Sequence, residues 1–323
     1  MTSNPSQTAH TVVSSVGDRH RSNGQGSIII AVAGASGNIG RQVVSLLLAH
    51  GQSTGITVLA LSRRLPDPSD DAPDRLIHKV LDYGDPASLR AAFTGVDTVV
   101  FPGSDGDPGV MLNHHRNVVA AASSCSVRRI VYLTALDTDP DSPFPYAQVH
   151  QATEKLLGDA GGLQVSVLRA SIFSEFFLSA FIGPALSQGA LHLPNRHGRV
   201  SFVSRLDVAA ALAGAALDGS SNGVFNVTGP DALTIEEVVG VVREVTGQPL
   251  RYECISEDSY RKKLTAEGVE PCYVDAFATM LAHSIPRGSF QLVSNDVADL
   301  SHQPVGSFKD SLQSWLSDQN IAN

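Results

Sequence analysis

The chain has 323 residues, of which 42% are hydrophobic and 17% are charged, a balance typical of a globular protein with a sizeable core. Its net charge of −9 at pH 7 argues against a nucleic-acid partner, because neutralising phosphates requires a basic surface. The three cysteines form no CxxC pair, which argues against a structural zinc site and suits a reducing compartment.

The segment 1–26 is rich in Ser, Asn, Gln, Thr and Gly and lacks the apolar centre of a signal peptide. We expect it to be a disordered leader or the remnant of a sequence tag. Nowhere does an apolar run approach the roughly 20 residues that a membrane helix needs. The sequence therefore predicts a cytoplasmic protein without a membrane partner.

From residue 27 onward, short β-branched runs alternate with helical patterns, as in a parallel sheet built from βαβ units. The predicted strands are Ile28–Ala33, Thr57–Leu61, Leu76–Leu81, Thr98–Phe101, Arg129–Thr134 and Gln164–Arg169. The predicted helices between them are Arg41–His50, Pro86–Phe93, Met111–Ser124 and Tyr146–Asp159. This alternation predicts an α/β fold, a doubly wound parallel sheet of the Rossmann type over residues 27–172.

The pattern changes in residues 173–323, where we expect a smaller substrate-binding or lid region interleaved with the last strands of the sheet. Gly189–Gly198 indicates a loop or a small hairpin. Helices are predicted at Leu206–Leu217 and Thr234–Thr246, the second ending near Gly247, and a strand at Val224–Val227. Four phenylalanines at helical spacing are typical of a core, although the first follows a strand end and could contact a ligand: Phe173, Phe176, Phe177 and Phe181.

The pattern Gly34-x-x-Gly37-x-x-Gly40 follows the first predicted strand directly and precedes a helix, which is the context of a dinucleotide-binding turn. Gly34 can take a positive φ, and Gly37 allows the backbone to approach a pyrophosphate. Gly40 permits close packing of helix and strand, while the helix N-terminus attracts an anion. We therefore expect a bound nicotinamide dinucleotide.

The residues after the second predicted strand indicate which dinucleotide binds. An NAD site usually places an acid there, whereas this chain has Arg63 and Arg64 and no acid before Asp67. Two guanidinium groups suit a 2′-phosphate, so NADP(H) is predicted, with a solvated loop as the alternative. Asp82 and Tyr83 follow the third strand and either flank the adenine or only form a turn.

Several motifs occur in the order found in one family. They are Gly34–Gly40, Ser62–Arg64, Asp82–Leu89, Gly95–Val100, His150–Leu157, Val167–Arg169, Val203–Ala209, Asn226–Pro230 and Leu233-Thr234. With them the chain resembles the NmrA-like, atypical short-chain dehydrogenase/reductases, and most of all their quinone-oxidoreductase branch. The resemblance extends over nearly all of residues 28–316.

This resemblance implies an NADPH-binding fold with a two-part substrate cleft. The family includes quinone and dye reductases, phenylpropanoid ether reductases and non-catalytic redox sensors, so its fold alone does not determine activity. The cofactor contacts expected on this basis are Gly34, Ser36, Gly37, Asn38, Ile39, Gly40, Arg63, Arg64, Asp82, Tyr83, Phe101, Gly103, Thr134, Ala135, His150, Ala170 and Phe173.

Short-chain reductases typically use a Tyr-x-x-x-Lys motif, and the matching segment here runs from Tyr146 to His150, so histidine replaces lysine. Without the lysine charge, Tyr146 should stay protonated, which favours reduction of a carbonyl over oxidation of an alcohol. His150 could hydrogen-bond the ribose or donate a proton. Both residues are the candidate catalytic groups. The alternative is that Tyr146 only starts a helix, that His150 is a satisfied histidine, and that hydride passes to a conjugated acceptor protonated by solvent.

The adjacent His114 and His115 lie on different helix faces and form no metal pattern, so no metal is predicted.

The leading hypothesis is an NADPH-dependent reductase of a small conjugated carbonyl compound, such as a quinone, an enone or an aromatic ketone, acting as a monomer or homodimer. The rival is a non-catalytic redox sensor that binds NADP(H). An epimerase or dehydratase with tightly held NAD is disfavoured by Arg63, Arg64 and the absent lysine.

Overall fold

The central sheet has seven parallel strands within residues 27–50, 55–67, 73–195 and 197–319, the part of the chain that this computed structural model describes. The nine strands of the described residues are β1 (Ile28–Ala33), β2 (Ile56–Ser62), β3 (Leu76–Val80), β4 (Thr98–Phe101), β5 (Arg129–Ala135), β6 (Gln164–Ala170), β7 (Ala190–Leu193), β8 (Gly223–Val227) and β9 (Arg251–Cys254). Of these, β7 and β9 form a separate two-stranded sheet. The order across the central sheet is β3-β2-β1-β4-β5-β6-β8. The connections leave in opposite directions from β1 and β4, which opens a crevice at their carboxyl ends. The predicted leader, 1–26, lies outside the described residues.

Helices cover both faces of this sheet, as predicted. They are α1 (Gly40–His50), α2 (Pro86–Phe93), α3 (Pro108–Ser124), α4 (Pro145–Asp159), α5 (Ser174–Phe177), α6 (Gly183–Gln188), α7 (Arg205–Leu217), α8 (Ile235–Thr246), α9 (Glu257–Ala266), α10 (Pro271–Thr279), α11 (Asp296–Ser301) and α12 (Phe308–Asp318). On one face, Ile30 and Val32 of β1 pack in a core with α1, α7 and α11. On the other face, Ala31 and Ala33 belong to a core with α2, α3 and α4. Since both sets of side chains are buried, the continuous apolar run of β1 is explained.

A third core lies in the C-terminal half of the chain, around Phe177, Phe202 and Leu281. The predicted loop or hairpin at Gly189–Gly198 is wrong, because its first residues form β7, which pairs in parallel with β9. Ala190 lies opposite Arg251, so the partner strand comes from far along the chain and leaves no local signal. This half also contributes β8, the edge strand next to β6, from beyond residue 172.

Helix α8 shows the clearest agreement between pattern and structure in this half. The Thr234 hydroxyl accepts from the Glu237 amide, and the Glu237 carboxylate accepts from the Thr234 amide, which completes a capping box. Gly247 ends the helix with φ 67°, a left-handed conformation that favours glycine. The predicted end of this helix at Thr246 is confirmed, and Thr234 is its N-cap rather than its first residue.

Candidate functional site

A cleft of about 880 Å³ lies at the carboxyl edge of the central sheet and extends toward the C-terminal core. Its first wall is the turn after β1, and its far wall is formed by residues of α10 and the π-helical turn Met280–Ser284. Nearly all of the predicted site residues line this cleft. They are Gly34, Ser36, Gly37, Asn38, Ile39, Gly40, Arg63, Asp82, Tyr83, Gly103, Thr134, Ala135, Tyr146, His150, Ala170 and Phe173.

The glycine turn has the backbone shape that the sequence predicts. Gly34 has φ 66°, and its carbonyl accepts a hydrogen bond from the Gly37 amide at 2.9 Å. Helix α1 begins at Gly40, which lines the cleft, so the positive end of the helix dipole lies at the cleft wall. A Cβ on Gly40 would collide with the Gly34 carbonyl oxygen. Gly40 is therefore required by the tight turn itself, and not only by close packing of α1 against a strand.

The end of the cleft beside β2 and β3 fits the adenine half of a dinucleotide. Arg63 lines it and is exposed, and the stretch from Ser62 to Pro66 holds no acid. Tyr83 packs edge-on against Phe101 with ring centroids 5.5 Å apart. Its hydroxyl is buried without a hydrogen-bond partner among the described residues, and burial raises its pKa, with a small opposing effect of the Arg63 charge.

Two predicted cofactor contacts do not line the cleft. Phe101 has no exposed surface and lies on the sheet face that α3 covers. Its ring stacks on that of Tyr132, with centroids 5.6 Å apart. Alternate side chains of a strand point to opposite faces, and Phe101 points away from the ligand side. Arg64 does not line the cleft, and its backbone carbonyl accepts from the Ser62 hydroxyl at 2.6 Å. We therefore correct the prediction for both side chains.

The two catalytic candidates lie at the start of α4, one helical turn apart. The Tyr146 hydroxyl donates to the Gly106 carbonyl at 3.0 Å, and burial, reinforced by the charge of Asp105, raises its pKa. The His150 Nδ1 lies 3.0 Å from the Tyr132 hydroxyl, and burial lowers the pKa of this imidazole to about 4. Both groups are therefore uncharged at neutral pH. No lysine of the described residues lines the cleft.

Polar atoms on the floor of the cleft are buried without protein partners in the described part of the chain. They belong to Tyr83 (Oη), Ser104 (Oγ), His114 (Nδ1) and Thr134 (Oγ1). Burying a polar group without a hydrogen bond is costly, so such atoms indicate a place for a polar ligand. Together with the glycine turn, they fit a dinucleotide. Ser104 and His114 were not expected from the sequence.

The far end of the cleft is lined by aromatic side chains, of which the sequence singled out only Phe176. Tyr273 and Phe277 of α10 stack with ring centroids 5.8 Å apart, and the ring centroid of Phe176 lies 5.5 Å from that of Phe277. Phe144 and Phe290 complete this wall. The i, i+4 spacing of Tyr273 and Phe277 was the available signal, but the same spacing is common in ordinary cores. Phe173 and Phe176 line the cleft, whereas Phe177 and Phe181 are core residues.

One further cation lines the cleft. Arg205 is the first residue of α7, and its backbone amide donates to both carboxylate oxygens of Glu175 at 3.0 Å. Its guanidinium forms no ion pair with a described residue. Nothing in the local sequence pattern distinguished it from a surface arginine.

The described residues hold no group of three His, Cys, Asp or Glu side chains arranged to bind a metal ion. Over the same ranges, no helix has the length and apolar character needed to cross a membrane.

Comparison with known proteins places this cleft in context. Residues 34–218 match the family described as NAD(P)H-binding. The chain is 30% identical to quinone oxidoreductase 2 of Escherichia coli over 257 residues, which are 79% of this chain and 86% of that protein. It is also 30% identical to the (4-alkanoyl-5-oxo-2,5-dihydrofuran-3-yl)methyl phosphate reductase of Streptomyces griseus over 293 residues, 87% of this chain and 96% of that protein.

A solved structure supports the same grouping. The NADPH-dependent quinone oxidoreductase of Escherichia coli, crystallised with NADPH, superposes with a TM-score of 0.79 at 26% sequence identity. The superposition covers 88% of this chain and 99% of that one.

Proposed function

This chain belongs to the NAD(P)H-binding family that its residues 34–218 match, and we propose that it is an NADPH-dependent reductase of flat, conjugated carbonyl compounds. The family predicted from the motifs, the NmrA-like reductases with their quinone-oxidoreductase branch, is confirmed. The chain is an NAD(P)H-dependent oxidoreductase. The cofactor preference and the acceptor class are our proposal.

One observation carries the proposal, namely that a single cleft extends from the glycine turn to an aromatic end. The glycine turn, Arg63 and the partnerless polar atoms suit the cofactor at the first end. At the second end, the stacked rings of Tyr273 and Phe277 offer a surface against which a planar, electron-poor acceptor can stack. Quinones, enones and aromatic ketones share that shape and electron deficiency.

The residues near the middle of the cleft suit reduction. When bound, the dihydronicotinamide supplies a hydride from its C4. Tyr146 is protonated at neutral pH, since a phenol has an ordinary pKa of about 10 and burial raises it further. Once released from the Gly106 carbonyl, its hydroxyl can donate to the oxygen of a reduced carbonyl. The same protonation makes it a poor base for removing a proton from an alcohol.

Arg63 is the basis for preferring NADPH to NADH. It lines the cleft directly after β2, where an NAD site would place an acid for the ribose hydroxyls. A guanidinium there can bind a 2′-phosphate through charge-assisted hydrogen bonds. The guanidinium forms no such charge-assisted hydrogen bonds with an unphosphorylated ribose, so it should not increase the affinity for NADH comparably.

The named acceptors of two relatives support the acceptor class. One relative is named for quinones and the other for a dihydrofuranone phosphate, and both acceptors are unsaturated carbonyl compounds. We extend the shared chemistry, not the individual substrates, to this chain.

The test follows NADPH oxidation by its absorbance across a panel of quinones, enones and aromatic ketones. We expect turnover of at least one class. Tyr146→Phe should lower kcat for an aromatic ketone about 100-fold, the usual contribution of a general acid. For a quinone, whose oxygens can take protons from solvent, the same change should cost less than about threefold.

The quinone arm controls for general damage to the fold in the Tyr146→Phe protein. Measurable NADPH binding without turnover of any acceptor would contradict the reductase proposal and would favour the non-catalytic sensor instead.

A further inference from the structure

A chain of hydrogen bonds runs from the buried core to the cleft face of His150. The Ser104 amide donates to the Nε2 of His115 at 3.2 Å, and the Nδ1 of His115 lies 2.8 Å from the Thr153 hydroxyl. The Tyr132 hydroxyl lies 3.5 Å from the same Nδ1 and 3.0 Å from the Nδ1 of His150. Tyr132 and His115 have no exposed surface.

The direction of each hydrogen bond follows from the one backbone donor in the chain. Because the Ser104 amide donates, the Nε2 of His115 must be unprotonated, and the neutral ring carries its proton on Nδ1. Thr153 donates its own proton to the Val149 carbonyl at 2.7 Å, so its oxygen is free to accept from His115. The single Nδ1–H of His115 therefore donates to Thr153 at 2.8 Å, and the Tyr132 oxygen at 3.5 Å is only a second, longer contact of the same nitrogen.

This leaves one acceptor for the Tyr132 proton. The hydrogen bonds of its oxygen to described residues are those with the Nδ1 of His115 and the Nδ1 of His150, while the hydroxyls of Thr153 and Thr134 lie near it as donors that lower its pKa. If His150 donated instead, the buried Tyr132 hydroxyl would have no acceptor, which is costly. The Tyr132 hydroxyl thus donates to His150.

We infer that Tyr132, itself positioned by His115, fixes His150 as a neutral imidazole with its proton on Nε2. That nitrogen forms no hydrogen bond to a described residue, and the ring lines the cleft. His150 therefore presents a permanent hydrogen-bond donor to whatever oxygen binds there. The donor takes over part of the role of a lysine at this position without supplying a charge. Its use in turnover rests on the proposed reductase function, whereas its presence does not.

The first test is spectroscopic and needs no substrate. Long-range ¹H–¹⁵N correlation spectra of the full-length protein, with labelled histidine, distinguish a protonated ring nitrogen from an unprotonated one. The His150 signals are assigned by their loss in His150→Gln. We expect protonated Nε2 and unprotonated Nδ1 in the parent protein near pH 7. A proton on Nδ1, or on both nitrogens, would overturn the inference.

The second test removes the orienting hydroxyl. In Tyr132→Phe, which keeps the ring, the His150 signals should move toward a mixture of the two tautomers. An unchanged Nε2–H form would overturn the positioning role of Tyr132. Tyr260→Phe is the matched control, because its hydroxyl is buried without a described partner and lies outside the cleft. It should leave the His150 signals unchanged.

Turnover then tests what the donor is used for. Glutamine can place an N–H near the position of Nε2, whereas asparagine is too short to do so. We expect His150→Gln to retain kcat/KM within about threefold and His150→Asn to lose about tenfold, the cost of one ligand hydrogen bond. Equal losses in both variants would rule out this use. Lack of turnover in the parent would refute the proposed function but leave the spectroscopic result standing.

Discussion

At the scale of single residues, the two adjacent arginines after β2 are distinguished by position. Arg63 lines the cleft, whereas Arg64 lies outside it. Arg63→Ala should therefore weaken NADPH binding about tenfold or more, because it removes a charge-assisted contact, and should change NADH binding little. Arg64→Ala removes the same charge from the same loop and should weaken NADPH binding less than about threefold.

Fluorescence titration of both cofactors with the parent and the two variants measures these affinities. The comparison separates direct contact from the general attraction of a positive loop, since both variants alter net charge equally. Equal losses in the two variants, or equal affinity of the parent for NADPH and NADH, would contradict the role given to Arg63.

At the scale of elements, the turn between β1 and α1 depends on the absence of a side chain at Gly40. A methyl group there would collide with the Gly34 carbonyl, which is backbone and cannot move without opening the turn. Gly40→Ala should lower NADPH affinity at least tenfold and lower the free energy of unfolding by roughly 1–3 kcal/mol. Gly240→Ala is the matched control, since a Cβ at Gly240 within α8 would meet nothing within 4 Å.

Alanine has the higher helix propensity, so the control should gain up to about 1 kcal/mol of stability and keep its cofactor affinity. Urea unfolding and cofactor titration of both variants provide the measurements. Full NADPH affinity in Gly40→Ala would show that the turn tolerates a side chain, against our description.

Most elements up to Thr246 with local signals were predicted from the sequence, whereas those made by distant pairing were not. Helices α9 to α12 were not predicted, although Ser307 and Asp310 form a local capping box at α12. The strands of the central sheet and α8 follow from apolar runs and capping residues close in sequence. Helix α3 begins at Pro108, before the predicted Met111, because the Asp107 carboxylate caps the Gly109 and Val110 amides. The pairing of β7 with β9 depends on contacts that no short window contains.

At the scale of the whole molecule, the two ends of the site also differ in whether local sequence signals predict them. Its cofactor end includes the turn after β1 and the ends of β2 and β3, so the glycine spacing and the two arginines predicted where it lies. The other expected contacts rested on the family resemblance. Its aromatic end joins Phe144, Phe176 and Phe277, which come from three separate segments that the C-terminal core brings together. Phe101 was predicted wrongly for a related reason, since the sequence places it at a strand end without giving its direction.

The stability of the whole protein should depend on keeping His115 neutral. Burial, with smaller effects of His150 and His114, lowers its pKa to about 3, well below the value of about 6.5 expected in the unfolded chain. Between these values the unfolded chain binds more protons, so the free energy of unfolding falls as pH falls below about 6.5. His115 alone should account for about 2 kcal/mol of loss between pH 7 and pH 5. Carboxylates with lowered pKa, such as Asp218 at about 2, lose their contribution only at lower pH.

Urea unfolding of the parent and of His115→Gln at pH 7 and pH 5 tests this dependence. The variant should be less stable than the parent at pH 7, because it loses the hydrogen bonds to Ser104 and Thr153, yet its stability should fall less toward pH 5. His78→Gln, which removes an exposed imidazole from β3, should keep the pH dependence of the parent. If the free energy of unfolding fell equally in the parent and in His115→Gln, this imidazole would not be held neutral by the fold. The assignment of hydrogen-bond directions from His115 to His150 would then be unsupported.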